Sequence, residues 1–465
     1  MKNTKRRMEV FSFFDHTGIS AHLENMAKKG WMIEKITTFG WRYRRIEPQK
    51  VKFAVSYYPK ASEFDPEPSE EQKVFHEFCA HTGWKLACTS AQLQIFYNER
   101  ENPTPIETEP ILELQTIHAS VKRGMLPSYL LLMLVAVLNA GLFISRLLGD
   151  PIDLLASPSG LFSGFTVIWL ALLCAVELVT YFKWYSKAKV AAEQGEFLKA
   201  PSTAKFQKVV LVIVGIALIY WAVNYLFSGP IMKRWIAVLM FIYVPLLIVI
   251  VNATKEFLKR KKVSSRVNFA VTIAVDFIFA FGLMGLITFG VLKASNMGLF
   301  AEEGEETYEH GGITWIIHQD ELPLTVEDLM DIEYDGYIKE RRGDSSLLLG
   351  RLEMRQHPRL DTENYVDIPR LEYTLVAVNI PILYDMCKDR LIYEKEELRP
   401  TWNREYRPED AVSWGAKEVY RLHDLEYGAE NTYLLCYDQL LAEIRFDWEP
   451  TEEQMKIVGE KLTGK

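Results

Sequence analysis

Two carboxylates, Asp276 and Glu177, stand inside long apolar runs, where an acid needs a hydrogen-bonding partner, water or a proton. Asp276 falls near the middle of its run, where an ionised carboxylate costs roughly 2.5 to 3.5 kcal/mol on insertion scales, and Asn139 and Asn224 are its candidate partners. One reading is a proton or cation relay. The other is a neutral helix contact, aided by the close approach that Gly282 and Gly285 permit. A second constellation is Asp15, His16 and His22, a carboxylate and two imidazoles between a strand-like and a helix-like run, which has the composition of a metal or catalytic site. The simpler reading is favoured: Asp15 and Ser20 start a helix and cap its free amides, and His22 lies on a solvated helix face. Elsewhere His310, His318, His357 and His423 fall on separate elements, and no nucleophile-elbow or phosphate-loop string accompanies them. The cysteines Cys79, Cys88, Cys174, Cys387 and Cys436 form no CxxC pair and no zinc spacing. No catalytic residue, cofactor or metal ligand set is assigned on these grounds.

The carboxylates in apolar runs are positioned by five segments, at about 126–148, 161–182, 209–227, 235–251 and 267–292, each long enough for a transmembrane helix. Loop charge sets the expected orientation. The loop at 149–160 has no base, whereas Lys183, Lys187, Lys189, Lys199, Lys205 and Lys208 follow segment two, and Lys255, Lys259, Arg260, Lys261, Lys262 and Arg266 follow segment four. Ser228, Gly229 and Pro230 turn between segments three and four, where Lys233 and Arg234 are the contrary note. Five crossings from a cytoplasmic N-terminus leave the C-terminus outside a plasma membrane, and the acids Glu302, Glu303, Glu305 and Glu306 agree with that side. The N-terminal basic run has no apolar core of signal-peptide length behind it.

The expected organisation is therefore a cytoplasmic α+β domain at 1–110, a linker at 111–125, a five-helix block at 126–292 and an acidic α+β domain at 300–465. From Phe300 onward acids outnumber bases about two to one, so the net charge of −8 conceals a mildly basic remainder. Those bases crowd beside apolar segments and suit lipid headgroups, which argues against direct nucleic-acid binding.

In the first domain, Met8–Phe14 reads as a strand and Ile19–Lys28 as a helix ending at Gly30, with Trp31 packing back. Strands at 31–36 and 41–46 flank a turn containing Thr37, Thr38 and Gly40. The order recurs: a strand at 51–58, a Pro-rich acidic loop, a helix at 70–81 ending in Gly83 and Trp84, then strands at 84–89 and 93–98. The two helix-Gly-Trp-strand matches predict a duplicated β-α-β-β unit. Trp31, Trp41 and Trp84 read as core or cap residues rather than a ligand cage.

The strings Phe11 to His16, His22 to Trp31 and Asn102 to Pro110 carry a resemblance. With Phe14, Asp15, Gly30 and Trp31 in place, the stretch from Met8 to Pro110 resembles the bacterial domain-of-unknown-function family numbered 2812, including its longer, multi-pass members. That resemblance implies a regulatory context, since such families are often encoded beside PadR-type transcriptional regulators in Gram-positive bacteria. It implies no catalytic residues.

The C-terminal region reads as mainly antiparallel, with strands at 313–318, 347–356, 371–378, 390–393, 418–422, 432–437 and 440–446, and a tight turn at Tyr437, Asp438 and Gln439. Thr325 with Asp328 starts a helix, and Thr451 with Gln454 forms a capping box for the last one, at 452–462. Cys387 and Cys436 would share an oxidising side, yet isolated thiols are the favoured reading. The expected function is a signalling or regulatory membrane protein linking an outer domain to an inner, protein-binding one, whose partners are the bilayer and a cytoplasmic regulatory protein. The alternative is a transporter or transport subunit using Asp276.

Overall fold

The computed structural model describes residues 3–37, 40–227, 231–297, 299, 306–362, 367–397 and 403–464. The expected turn residues Thr38 and Ser228 to Pro230, and the acids Glu302, Glu303 and Glu305, lie outside them. Met1–Ala140, Thr166–Ile219 and Leu239–Gly285 form one compact unit, and Gly141–Phe165, Tyr220–Val238 and Leu286–Lys465 form another.

The first unit begins with β1 (Thr4–Arg7), α1 (His16–Lys28), β2 (Trp31–Thr37) and β3 (Gly40–Arg45), then β4 (Lys52–Tyr57), α2 (Glu70–His81), β5 (Lys85–Ser90) and β6 (Leu93–Asn98). The two antiparallel sheets have the orders β1-β3-β2 and β4-β6-β5, so each half places its last strand in the middle. After each helix comes a glycine at positive φ, Gly30 at 78° and Gly83 at 91°, where a side chain would be strained. Helix α1 turns Ile19, Leu23, Met26 and Ala27 into a core with Ile33, Tyr43, Phe53 and Ile95. Burying a side chain the size of Leu23 stabilises by roughly 1.5 to 3 kcal/mol.

Two expectations are corrected here. Met8–Phe14 is not a strand: β1 ends at Arg7, and the chain leaves the sheet so that the Asp15 amide bonds the Ser12 carbonyl at 3.0 Å. The expected linker at 111–125 is mostly helix, α3 (Pro110–Arg123). Pro110 suits a first helical turn, and Leu114, Ile117 and Val121 recur on one face that joins the same core.

Then follow α4 (Met125–Gly149), α5 (Pro151–Ala156), α6 (Pro158–Glu193), α7 (Ala204–Phe227), α8 (Ile231–Arg260) and α9 (Ser265–Asn296). Among the described residues five helices are long and apolar enough to cross a membrane, with most of each apolar window unburied. At 36 residues α6 is roughly 54 Å long, well beyond a hydrocarbon core of about 30 Å.

The second unit holds a hairpin, β7 (Glu306–His310) with β8 (Ile313–Ile317), then α10 (Val326–Leu329), β9 (Ile338–Ser345), β10 (Leu349–His357) and β11 (Leu371–Val378). Helix α11 (Tyr384–Glu397), β12 (Arg404–Glu409), β13 (Glu418–Asp424), β14 (Gly428–Cys436), β15 (Leu440–Phe446) and a final helix, α12 (Glu452–Thr463), complete it. Seven strands pair antiparallel in the order β12-β13-β14-β15-β11-β10-β9. Side chains alternate between faces. Tyr433, Leu435, Ala442 and Ile444 pack with Trp414 and with Val458 of α12, whereas Leu434, Cys436 and Leu441 meet Cys387 and Leu391 of α11 and Ile152 and Ala156 of α5.

Arg390–Tyr393, expected as a strand, lies within α11, because Cys387 and Leu391 stand one turn apart and share the buried face. The base-free loop at 149–160 contains α5, capped by Asp150 on the Asp153 amide at 3.1 Å. The expected capping box of Thr451 with Gln454 is present, and the helix start at Thr325 with Asp328 forms one as well. Cys387 and Cys436 are free and buried, and burial pushes their thiols up to about 11 and about 12.

Candidate functional site

The segment joining β1 to α1 docks on the far end of α6. Glu177, Tyr181, Trp184, Ala188 and Ala192 recur every three or four residues and are all buried, so one stripe of α6 is covered. Phe14 fills it, fully buried, with its ring stacked on Trp184 at 5.6 Å and tilted against Tyr181 at 5.3 Å. Asp15 caps α1 by accepting from the Gly18 amide at 2.8 Å. Gly18 has to be small, because a Cβ there would sit 2.4 Å from Asp15 Oδ1. Glu177, also fully buried, accepts from Gln207 Nε2 at 2.7 Å and from the Thr203 hydroxyl. Ser12 closes the network, with its hydroxyl 2.5 Å from Thr203 Oγ1 and accepting from Gln207 Nε2 at 3.2 Å.

Two carboxyl oxygens in this cluster, Asp15 Oδ2 and Glu177 Oε2, are buried without a hydrogen-bond partner among the described residues. Burial pushes the Asp15 carboxyl above the usual carboxylate range, against hydrogen bonds from the Ser202 side chain and the Gly18 amide that pull it down, and the Glu177 carboxylate adds a smaller upward push. Burial likewise holds the His16 imidazole below its ordinary value, so at neutral pH the ring next to Asp15 is uncharged. Its Nε2 lies 3.4 Å from Glu113 and its Nδ1 3.1 Å from the Phe14 carbonyl.

The corresponding segment of the second half, between β4 and α2, docks on the junction of α8 and α9. Asn268 Nδ2 donates to the Phe64 carbonyl at 3.1 Å, and Phe64 meets Phe269 edge-on at 5.2 Å. Lys255 pairs with Glu63 at 2.9 Å and Lys262 with Glu67 at 2.7 Å. Each of the two β-α-β-β halves thus uses its strand-to-helix loop to hold one of the two basic helix junctions. Charge complementarity was the signal for the second contact, since this loop is acidic and the junction is the densest basic run in the chain.

Asp15 and Glu177, singled out for separate reasons, fall in one cluster; Asp276 does not join them. It is half-buried and makes no hydrogen bond or ion pair among the described residues, and the Asn139 amide donates instead to the Val135 carbonyl of its own helix at 2.8 Å. His22 is not on a solvated face: Phe11 covers it at 5.3 Å, and its Nε2 lies 3.1 Å from Glu9 and 3.3 Å from the Tyr43 hydroxyl. Ser20 is inside α1, donating to the His16 carbonyl at 2.9 Å rather than capping an amide. Trp84 is buried and donates to the Thr104 carbonyl at 2.9 Å. Trp31 is half-buried beneath Lys5 and Arg45, 5.4 and 5.0 Å from its ring centre. Among the described residues, no three His, Cys, Asp or Glu side chains gather as metal ligands.

In the second unit, α5 is tied to β10 by Arg351, which pairs with Asp153, while Ser346 donates to the Leu155 carbonyl at 2.6 Å. Lys233 at the start of α8 pairs with Asp344 of β9 at 2.5 Å. The sheet face beyond α5 and α11 forms an open groove of about 540 Å³ whose walls include Glu353, Arg355, Glu372, Arg404, Glu443 and Arg445. Both signs of charge line it, and the Tyr406 hydroxyl donates to Glu443 at 2.9 Å.

Comparison with curated proteins and with solved structures returns no match. Residues 16–128 match the family described as protein of unknown function (DUF2812), so the segment from α1 to the start of α4 carries the pattern of the family that the N-terminal motifs resemble.

Proposed function

We propose that this chain is a multi-pass membrane protein of signalling or regulatory type, in which the duplicated N-terminal domain reads the arrangement of the membrane helices. The observation that carries the reading is the paired docking: one loop holds α6 and α7 through Phe14 and Ser12, and its counterpart holds α8 and α9 through Phe64, Glu63 and Glu67. A shift between those helix pairs would be delivered to the two halves of one domain, and a packed domain answers by changing arrangement rather than by deforming smoothly. Two of the seven sheet strands and α5 give the C-terminal domain its own ties to helix connections, after α4 and before α8, and its charged groove suits a polar ligand as the input.

Connectivity supports a cytoplasmic N-terminus and an external C-terminus. The junctions held by the N-terminal domain follow the second and fourth long helices and are rich in lysine, whereas those held by the C-terminal domain follow the first and third. A cysteine introduced at Lys465 should be labelled from outside intact cells, and protection there would overturn this topology. Deleting 300–465 should alter hydrogen-exchange protection of the docking segments 8–15 and 59–69; unchanged protection would overturn the signalling reading. The transport alternative rests on Asp276 and requires proton-coupled flux in reconstituted vesicles that Asp276→Asn abolishes.

A further inference from the structure

We infer that the outer edge of β1 is a docking site for an acidic, extended segment of a partner protein, which would join the sheet β1-β3-β2 as a fourth strand. Among the described residues β1 stands at the end of that sheet and pairs with β3 alone. The Asn3 carbonyl accepts from the Arg45 amide at 2.9 Å, so the alternation of an antiparallel ladder turns the amides and carbonyls of Thr4 and Arg6 away from β3. Neither backbone is bonded to another element among the described residues. A strand added there would meet two donors and two acceptors, a pattern that a pleated backbone matches.

Charge selects the partner. Arg6 stands opposite Arg42, Arg42 opposite Lys35, and Thr4 opposite Arg44, so cations lie abreast across the sheet, where like charges repel. All four are exposed. Glu34 meets Arg42 at 2.8 Å, but Arg6, Lys35 and Arg44 make no ion pair among the described residues. The second half of the domain shows the same row put to another use. Its sheet has the equivalent strand order and a bulge between Leu86 and Cys88 where the first has one between Ile33 and Lys35. There the row matching Arg6, Arg42 and Lys35 is Val55, Ile95 and Cys88, all buried in the core. A face that only had to be wetted would mix its charges, whereas this one is basic and suits carboxylates, which the guanidinium fork matches. No large apolar side chain of these three strands is exposed, so the face offers bases no stacking platform and a bilayer no wedge. The same cations repel the β1 edge of a second copy. The inference rests on this sheet alone and is independent of the signalling reading.

The test uses the purified full chain in neutral detergent micelles and a fluorescein-labelled octapeptide alternating Glu and Val, followed by fluorescence anisotropy at low salt. The parent chain should bind it and should not bind the matching Lys and Val peptide. Arg6→Glu combined with Arg44→Glu should weaken binding about tenfold or more. Both positions are exposed, so that variant should unfold at the temperature of the parent. Thr4→Pro removes one outward amide and keeps the charge and the ladder to β3, so it should also weaken binding. No binding by the parent chain overturns the site, and so does binding that survives the charge reversal. Binding that Thr4→Pro leaves whole overturns strand addition. Displacement of the peptide by phosphatidylglycerol in the micelles or by duplex DNA, at lower concentration than unlabelled peptide, overturns the protein partner.

Discussion

Removing the Phe14 ring tests the joint between the first β-α-β-β half and α6 most directly. Phe14 is fully buried between Trp184 and Tyr181, so Phe14→Ala deletes a side chain whose loss from a packed core costs about 3 to 5 kcal/mol. Phe14 adjoins Asp15, the cap of α1, so the loss should appear first as local opening of α1. At 1.4 kcal/mol per tenfold, protection of the α1 amides should fall by roughly a hundredfold or more in hydrogen exchange on the intact chain. Protection in α2, whose own small cluster is Cys79, Trp84 and Phe96, should change far less. Trp184→Ala combined with Phe14→Ala should fall short of additivity by about 0.5 to 1.5 kcal/mol, the usual coupling of an aromatic pair. A loss under tenfold in α1, or strict additivity of the two substitutions, would refute the docking.

Three further outcomes follow from the structure. Gly459 of α12 passes so close to β-sheet connections that a Cβ would sit 2.2 Å from the Trp414 carbonyl oxygen, so Gly459→Ala should destabilise the C-terminal domain by about 1 to 3 kcal/mol in thermal unfolding. Burial works against charge on Asp328, but the Lys461 ammonium and the Thr325 donors outweigh it and hold the carboxyl below its model-peptide range. A depressed carboxyl stabilises above its unfolded value near 3.8 and loses that contribution as pH falls through the lower folded value, so the advantage of the parent chain over Asp328→Asn should be full at pH 7 and decline progressively once the pH falls below about 3.8. Asp276→Asn should leave thermal stability within about 0.5 kcal/mol of the parent or raise it, since no partner is lost; a larger loss would reveal one.

The parts of this fold legible in the sequence were those with a strong local signal. Helix-Gly-Trp-strand repeats, apolar runs of membrane length, the helix start at Thr325 and the capping box of Thr451 with Gln454 each depend on residues close together in the chain. The local pattern misleads where a distant partner decides the outcome. Met8–Phe14 alternates like a strand but is drawn away by the stripe on α6, and Arg390–Tyr393 looks extended until the buried face shared by Cys387 and Leu391 is known. The same holds for the site. Asp15 and Glu177 were each recognisable as unusual, Asp15 at a helix start and Glu177 in an apolar run, but 162 positions separate them and only the fold joins them. The periodic stripe of Tyr181, Trp184, Ala188 and Ala192, continuing past membrane length, was the available hint that α6 is covered by protein there.

Because the two halves of the N-terminal domain share one strand order, the chain carries its own experimental control. Ser69 caps α2 as Asp15 caps α1, accepting from the Gln72 amide at 3.2 Å, but Ser69 is exposed while Asp15 is fully buried beside Phe14 in the segment that docks on α6. A change at Ser69 therefore reports what a cap is worth to this scaffold, and the same change at Asp15 reports that value plus the grip on the helices. Subtracting one from the other isolates the grip within a single molecule.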